Sequence, residues 1–171
     1  REGDLEEVNR LLDQGADINN ADNNGNTPLY IASYDGHVEA VKVLLERGAD
    51  INKDEDLGRT PLFVASQYGH MDVVRLLVER GADINKATDN GATPLFIASE
   101  NGYVDIVSVL VDQGADINKS TFNGATPLLV ASGQGHVEVV RVLKELGAGG
   151  KAAFYTGKST LPLLHGSAGS R

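Results

Sequence analysis

The sequence contains no cysteine, no tryptophan and no long hydrophobic run. Without cysteine, the chain can have neither a disulfide framework nor a cysteine-ligated zinc site. No stretch reaches the roughly 18 consecutive apolar residues of a membrane-spanning helix, and the first residues lack the apolar segment of a secretory signal. These absences predict an intracellular protein, cytoplasmic or nuclear, that does not enter a membrane, and they leave an extracellular location open.

Positive charge is scarce as well. All 24 acidic residues lie within residues 1–148 beside only 12 basic ones, so this part carries a net charge of −12, whereas residues 149–171 carry three basic residues and no acid. An acidic surface repels the phosphates of nucleic acid and attracts basic protein surfaces. We therefore expect a protein partner with a basic surface and no nucleic acid, with solubility as the alternative reason for the charge.

The sequence repeats itself every 33 residues. The triplet TPL recurs four times, beginning at Thr27, Thr60, Thr93 and Thr126. The triplet GAD recurs with the same spacing, beginning at Gly15, Gly48, Gly81 and Gly114. Such a period is the signature of stacked repeats. We divide the chain into a partial repeat over residues 1–21 and full repeats over residues 22–54, 55–87, 88–120 and 121–148, and expect more repeat sequence upstream because residues 1–20 match only the later part of the unit.

Each repeat is predicted to form two short helices. In the second full repeat, Thr60 is a suitable N-cap and Pro61 suits the first helical position. Gly69 can end this helix in the left-handed conformation. The second helix starts near His70 and stops at Gly81. Helices of two to three turns are marginal alone, so stacking on neighbouring copies is required.

An alanine-serine pair recurs in the first helix of each repeat. Small residues there allow neighbouring helices to approach closely. We interpret these serines as packing residues and not as nucleophiles. They are Ser33, Ser66, Ser99 and Ser132.

Residues 22–52 nearly spell out DxxGxTPLHxAAxxGHxxVVxLLLxxGAxxN, the signature of the ankyrin repeat. The sequence resembles this family over residues 1–148. The resemblance implies an all-α solenoid of stacked antiparallel helix pairs with projecting β-hairpin fingers, whose fingers and first helices form a concave surface. The family's usual histidine after TPL is missing, so we expect aromatic stacking to replace its hydrogen bonds between repeats. The replacing residues are Tyr30, Phe63, Phe96 and Leu129.

Residues 149–171 depart from the repeat pattern, yet Gly157, Ser159 and Leu161 remain in its 33-residue register. A degenerate C-terminal capping repeat would cover the last apolar face of the stack. A flexible tail is the alternative. The string GKST at residues 157–160 is not a phosphate-binding loop, because Ala152 stands where that motif needs its first glycine.

No group of residues indicates catalysis or a cofactor. His37, His70 and His136 share one position of the repeat, and stacked helices lie about 8–10 Å apart, which is too far for the roughly 2 Å bonds of a common zinc ion. Acids that recur in the same way do not converge on one bond as a catalytic carboxylate pair must. They are Asp17, Asp50, Asp83 and Asp116. We predict no metal, no cofactor and no enzyme.

One asparagine per repeat follows Asp-Ile eight residues after a leucine. This pattern resembles the one that asparaginyl hydroxylases modify in ankyrin proteins, and a purely structural role in a turn is the alternative. The asparagines are Asn19, Asn52, Asn85 and Asn118.

The resemblance implies a protein-binding module that contacts its partner through the finger tips and the ends of the first helices, and we expect it to act as a monomer. Because aromatic and arginine side chains dominate binding energy, Tyr34, Arg59 and Tyr68 are the strongest candidates, supported by Leu57 and Phe122. The alternative for Tyr34 and Tyr68 is that they only cover the helix surface. The complete candidate set is Tyr34, Asp35, Asp56, Leu57, Arg59, Gln67, Tyr68, Asp89, Asn90, Glu100, Asn101, Phe122 and Asn123.

Two other functions remain open from the sequence. The repeats would serve equally as the targeting or scaffold arm of a larger multidomain protein whose activity lies outside this chain. A passive structural spacer is the third possibility, and it predicts bland polar residues at the exposed finger and first-helix positions.

Overall fold

A computed structural model describes residues 2–148, with side chains from Leu5 onward. This part of the chain forms nine helices. They are α1 (Glu2–Asp13), α2 (Pro28–Tyr34), α3 (Val38–Glu46), α4 (Pro61–Tyr68), α5 (Met71–Glu79), α6 (Pro94–Glu100), α7 (Val104–Asp112), α8 (Pro127–Gln134) and α9 (Val137–Glu145). The capping repeat or tail predicted for residues 149–171, including its GKST string, lies outside the described residues.

The TPL triplet starts each of the helices α2, α4, α6 and α8, which we call the inner helices. The threonine is the N-cap, and its hydroxyl accepts a hydrogen bond from the backbone three residues later, as Thr60 does from the Phe63 amide at 3.1 Å. Proline follows at the start of the helix, where no backbone hydrogen bond is lost. The sequence prediction of these helix starts is therefore confirmed.

The inner helices pack side by side, and the outer helices α3, α5, α7 and α9 form a second row. Each inner helix also packs on the outer helix that follows it. The main core lies between the rows, where Leu62, Val74 and Leu77 are completely buried. The arrangement confirms an all-α repeat solenoid, in which short helices are stabilised by contact with adjacent copies. No helix in residues 2–148 is long and apolar enough to cross a membrane.

Three of the recurring serines are part of this packing. Ser33, Ser66 and Ser99 are fully buried. Each hydroxyl donates a 2.7 Å hydrogen bond to the carbonyl oxygen four residues earlier in its own helix. These hydroxyls are therefore satisfied inside the helix row, whereas Ser132 is exposed.

Helix α4 ends at Gly69 for two reasons. Gly69 has a φ of 77°, in the left-handed region that favours glycine. A Cβ at this position would also lie 2.8 Å from the ring of Tyr103, which belongs to the next repeat. The glycine thus ends the helix and allows the neighbouring repeat to approach.

The β-hairpin form of the fingers is not confirmed. Each finger is a tight turn closed by a backbone hydrogen bond, such as the 2.9 Å bond from Thr88 N to Ala92 O. Adjacent fingers are joined by one backbone bond, for example from Asp89 N to Leu57 O at 3.1 Å. No residue in the described range is in a strand. We call the turns over residues 22–26, 55–59, 88–92 and 121–125 the fingers.

Hydrogen bonds between repeats come from side chains other than those we expected. The stacking predicted among Tyr30, Phe63 and Phe96 is absent from the ring contacts of residues 5–148. Instead, the Nε2 atom of His70 lies 2.8 Å from the carbonyl oxygen of Tyr34, and His136 makes the equivalent contact with Glu100. His70 and His136, which precede α5 and α9, therefore each link their repeat to the preceding one.

Candidate partner-binding surface

The fingers and the inner helices together present one continuous surface, which we call the finger face. All thirteen predicted contact residues lie in a finger, in an inner helix or directly after one. The two tyrosines and Gln67 belong to inner helices, whereas Asp35 and Asn101 are the C-cap residues that follow α2 and α6.

A groove of about 430 Å³ lies at the centre of the finger face, between the second and fourth fingers. Its floor is a small apolar cluster, separate from the main core, made by Phe63, Ala92, Phe96 and Ile97. The complete lining is Leu57, Arg59, Phe63, Thr88, Asp89, Asn90, Ala92, Phe96, Ile97, Glu100, Thr121, Asn123 and Ala125. Its volume is within the roughly 300–1,000 Å³ typical of ligand pockets.

Six of the thirteen predicted residues line this groove: Leu57, Arg59, Asp89, Asn90, Glu100 and Asn123. The floor residues are not among the predicted contacts. The aromatic rings at two floor positions stand out in the sequence only as replacements for the family's histidine. The recurrence of Phe63 and Phe96 after TPL was the available signal, because both are held at the finger side of an inner helix.

Tyr34 and Tyr68 form a second feature of the finger face. Their ring centroids are 4.5 Å apart, with an angle of 59° between the ring planes. Each side chain remains over two-fifths exposed, at 44% and 43%. Hydrogen bonding with Tyr34 raises the pKa of Tyr68, and partial burial adds to this effect. The pair therefore offers two amphipathic rings that bridge two repeats.

Arg59 is held by Glu55 within the second finger. The Nε and Nη2 atoms of the arginine donate to the two carboxylate oxygens at 2.9 and 3.2 Å. Glu55 also accepts hydrogen bonds from the backbone amides of Leu57 and Arg59. Burial raises the pKa of Glu55, but these hydrogen bonds outweigh it and the net pKa is lowered. The pair closes the finger and fixes the guanidinium beside the groove.

The remaining charge on the finger face is negative. Asp35, Asp56 and Asp89 are exposed, and Glu100 is half-buried. None of the ion pairs found among the described residues involves any of these four acids. Their carboxylates are thus available to cations outside the chain.

A comparison with protein families identifies the fold. The profile of Ankyrin repeats (3 copies) matches residues 1–88 and residues 83–153. The chain belongs to the ankyrin repeat family. Ankyrin repeats are generally protein-protein interaction modules and typically have no catalytic activity. No curated protein matches this sequence significantly.

Three other contact candidates have distinct environments in this ankyrin stack. The fourth finger presents Phe122, whose side chain is 81% exposed. Asn101 donates a 3.0 Å hydrogen bond from its side chain to the carbonyl oxygen of Ile97, so it finishes α6. Among the described residues, the Oε1 atom of Gln67 is buried without a hydrogen-bond partner. An unpaired buried polar atom of this kind costs about 1–3 kcal/mol.

The repeated asparagines join successive ankyrin repeats. The side-chain oxygens of Asn19, Asn52 and Asn85 each accept a 2.8 Å hydrogen bond from the backbone amide of the aspartate in the next repeat. The aspartate in turn accepts a hydrogen bond from the asparagine amide two residues later, as between Asp50 and Asn52 at 3.0 Å. Three of the four asparagines thus have a structural role, and Asn118 sits at the equivalent place in the third full repeat.

The described part of the ankyrin stack contains no group of three or more histidine, aspartate or glutamate side chains arranged to hold a metal ion. The repeated acids Asp50, Asp83 and Asp116 cap turns in separate repeats.

Proposed function

We propose that the chain binds a partner protein through the finger face, with the central groove and the Tyr34–Tyr68 pair as the main contacts. The observation that carries the proposal is that exposed apolar side chains of the fingers lie beside an apolar groove. Leu57 is 58% exposed and Phe122 is 81% exposed at the finger tips, on either side of an apolar groove. Such patches mark interaction sites in soluble proteins.

Charge supports a basic partner. The finger face carries unpaired acids at Asp56, Asp89 and Glu100, and its one arginine is neutralised by Glu55. Complementary charge mainly raises association rate and selects against partners of the wrong sign. We therefore propose a protein with a basic surface as the partner, bound by a monomer of this chain, without catalysis.

Affinity capture tests the proposed surface. The wild-type chain and a Tyr34→Ala/Tyr68→Ala variant are each used to capture proteins from a lysate of the source organism. Leu11→Ala is the control, because Leu11 is 42% exposed but lies in α1, away from the finger face. We expect the partner to be lost from the tyrosine variant by roughly thirtyfold or more, equivalent to about 2 kcal/mol, and to be retained by the control.

The opposite pattern would refute the proposal. Retention of every captured protein by the tyrosine variant would mean that Tyr34 and Tyr68 only cover the helix surface. Melting temperatures of all three proteins establish that any loss of binding is not a loss of folding.

We also propose Asn19, Asn52, Asn85 and Asn118 as hydroxylation sites. The motif recurs with the repeat, and the modified residue would lie at a junction between repeats, where Asn52 accepts a hydrogen bond from Asp83. Mass spectrometry of peptides from the natively expressed protein should detect one added oxygen atom on these asparagines. Unmodified peptides throughout would leave them only their structural role.

A further inference from the structure

We propose that the central groove receives an apolar side chain from a short partner segment, and that basic residues on both sides of this side chain contact Asp89 and Glu100. This inference rests on the proposed function, because it names the occupant of the same surface. It commits to one chemistry: a peptide segment in which an aliphatic or aromatic residue is flanked by lysine or arginine.

The apolar floor of the groove is the reason to expect an apolar side chain from the partner segment. Phe63, Phe96 and Ile97 leave 4%, 9% and 8% of their surfaces exposed, and they pack with Ala92 as a cluster of their own. Leu57 at the tip of the second finger extends this apolar surface and is 58% exposed. A side chain entering the groove would exclude water from both the floor and Leu57, and buried apolar anchors of this kind carry most of the energy at protein interfaces.

The acidic rim of the groove is the reason to expect basic residues on both sides of the partner's apolar residue. Asp89 belongs to the third finger and Glu100 to the end of α6, and both line the groove. Neither takes part in an ion pair within the described part of the chain. The remaining charged group of the lining, Arg59, is neutralised by Glu55. The groove therefore has a net negative rim around an apolar floor.

Charge also argues against a second copy of this chain as the occupant. The full sequence has a net charge of −9, and the fingers and inner helices supply only one basic residue, Arg59. Two such faces would repel each other on approach. A basic segment is attracted by the same field.

The test begins with a random peptide library displayed on phage and panned against the full chain. We expect the enriched peptides to contain an aliphatic or aromatic residue next to lysine or arginine. The best peptide is then synthesised with a fluorophore, and its affinity is measured by fluorescence polarisation. Replacing its apolar residue with alanine should weaken binding roughly tenfold or more.

Matched protein variants locate the site. Asp89→Asn/Glu100→Gln removes the two rim charges, and Glu79→Gln/Asp112→Asn removes two exposed charges from outer helices. Both variants have the same net charge. We expect a roughly tenfold loss of peptide affinity for the rim variant and less than twofold for the control. Ala125→Phe, which narrows the groove from its wall, should abolish binding in a protein whose melting temperature is retained.

Several results would overturn the inference. Enriched peptides that are acidic or lack an apolar residue, equal affinities of the rim and control variants, or a library without any binder would each contradict it. So would a dimer in sedimentation that Ala125→Phe converts to monomer, because the occupant would then be a second copy. The proposed function fails separately, when the tyrosine variant retains every captured protein.

Discussion

Glu55 is the charged side chain that the described structure buries most fully, with 7% of its surface exposed. The first finger has Asp22 at this position, and the third and fourth have Thr88 and Thr121, whose hydroxyls accept from the backbone of their own turns. The first residue of each finger thus closes the turn in all four fingers, although the side chain that does so differs. Only the second finger depends on an ion pair, because only Glu55 has an arginine four residues later.

Glu55→Gln should therefore destabilise the protein in a pH-dependent manner. The folded state lowers the pKa of Glu55 below its ordinary 4.5, so the stabilisation is complete above that pH and is lost as pH falls through the folded pKa. We expect a loss of roughly 2 kcal/mol near neutral pH and a smaller difference in acid. Urea unfolding at neutral and at acidic pH measures the difference in the free energy of unfolding. Glu79→Gln is the control, because Glu79 is exposed. A loss of equal size at both values would show that the carboxylate charge is not involved.

Substitutions at two glycines would distinguish the energetic cost of backbone strain from that of a steric contact. Gly81 has a φ of 87° and no atom within 4 Å of the place where a methyl group would lie, whereas a methyl group at Gly69 would meet Tyr103. Gly81→Ala should lower the free energy of unfolding by about 1 kcal/mol, because alanine is strained in the left-handed conformation. Gly69→Ala should lower it by roughly 1–3 kcal/mol more, because the ring of Tyr103 must also move. Chemical denaturation gives both values. Equal costs would mean that Tyr103 adapts freely.

At the scale of the elements, the helices were predictable and the fingers were not. The TPL triplet contains its own N-cap and helix-starting proline, so local chemistry alone sets where α4 begins. The strand character expected of the fingers came from the family resemblance, whereas the structure gives each finger after the first a single backbone bond to the preceding one, such as Asp89 N to Leu57 O. The links between repeats were also missed, because the hydrogen bond from His70 to Tyr34 joins residues 36 positions apart.

The junctions between repeats should be sensitive to the asparagine ladder. Asn52→Ala removes the acceptor for the Asp83 amide, and we expect a loss of about 1 kcal/mol in the free energy of unfolding. Asn20→Ala is the control, because Asn20 is exposed. Its hydrogen bond within the described residues is made by its backbone and not by its side chain. Equal stability of the two variants would contradict a structural role for Asn52.

At the scale of the whole molecule, six of thirteen predicted contacts meet in one groove because the repeat period brings equivalent positions of neighbouring repeats together. Position in the repeat could thus be read from the sequence. The burial of each side chain could not be read from the sequence, because the exposure of Phe63 depends on how the next repeat covers it. Tyr30, Phe63 and Phe96 are buried at the position where Leu129 is 60% exposed, since no further repeat follows within residues 2–148.

The acidic surface predicts an association that depends on salt. With a net charge of −9, this chain should attract a basic peptide most strongly at low ionic strength. Raising the salt from about 0.01 M to 0.15 M shortens the screening length from roughly 30 Å to 8 Å. We expect the association rate to fall about tenfold or more while the dissociation rate changes little, as stopped-flow fluorescence would measure. A salt-independent association rate would exclude electrostatic steering.

The single backbone bond between neighbouring fingers also limits how a partner can be recognised. Proteins that bind peptides by β-augmentation offer the free edge of a strand, and the peptide's main chain then supplies much of the affinity. The described fingers have no strand, and the amides of Asp56, Asp89 and Phe122 already donate to the preceding finger. We therefore expect a ligand in the groove to be recognised mainly through its side chains, so methylating the amide nitrogens of a bound peptide should leave its affinity almost unaffected. The same lack of a strand edge protects the finger row from edge-to-edge aggregation.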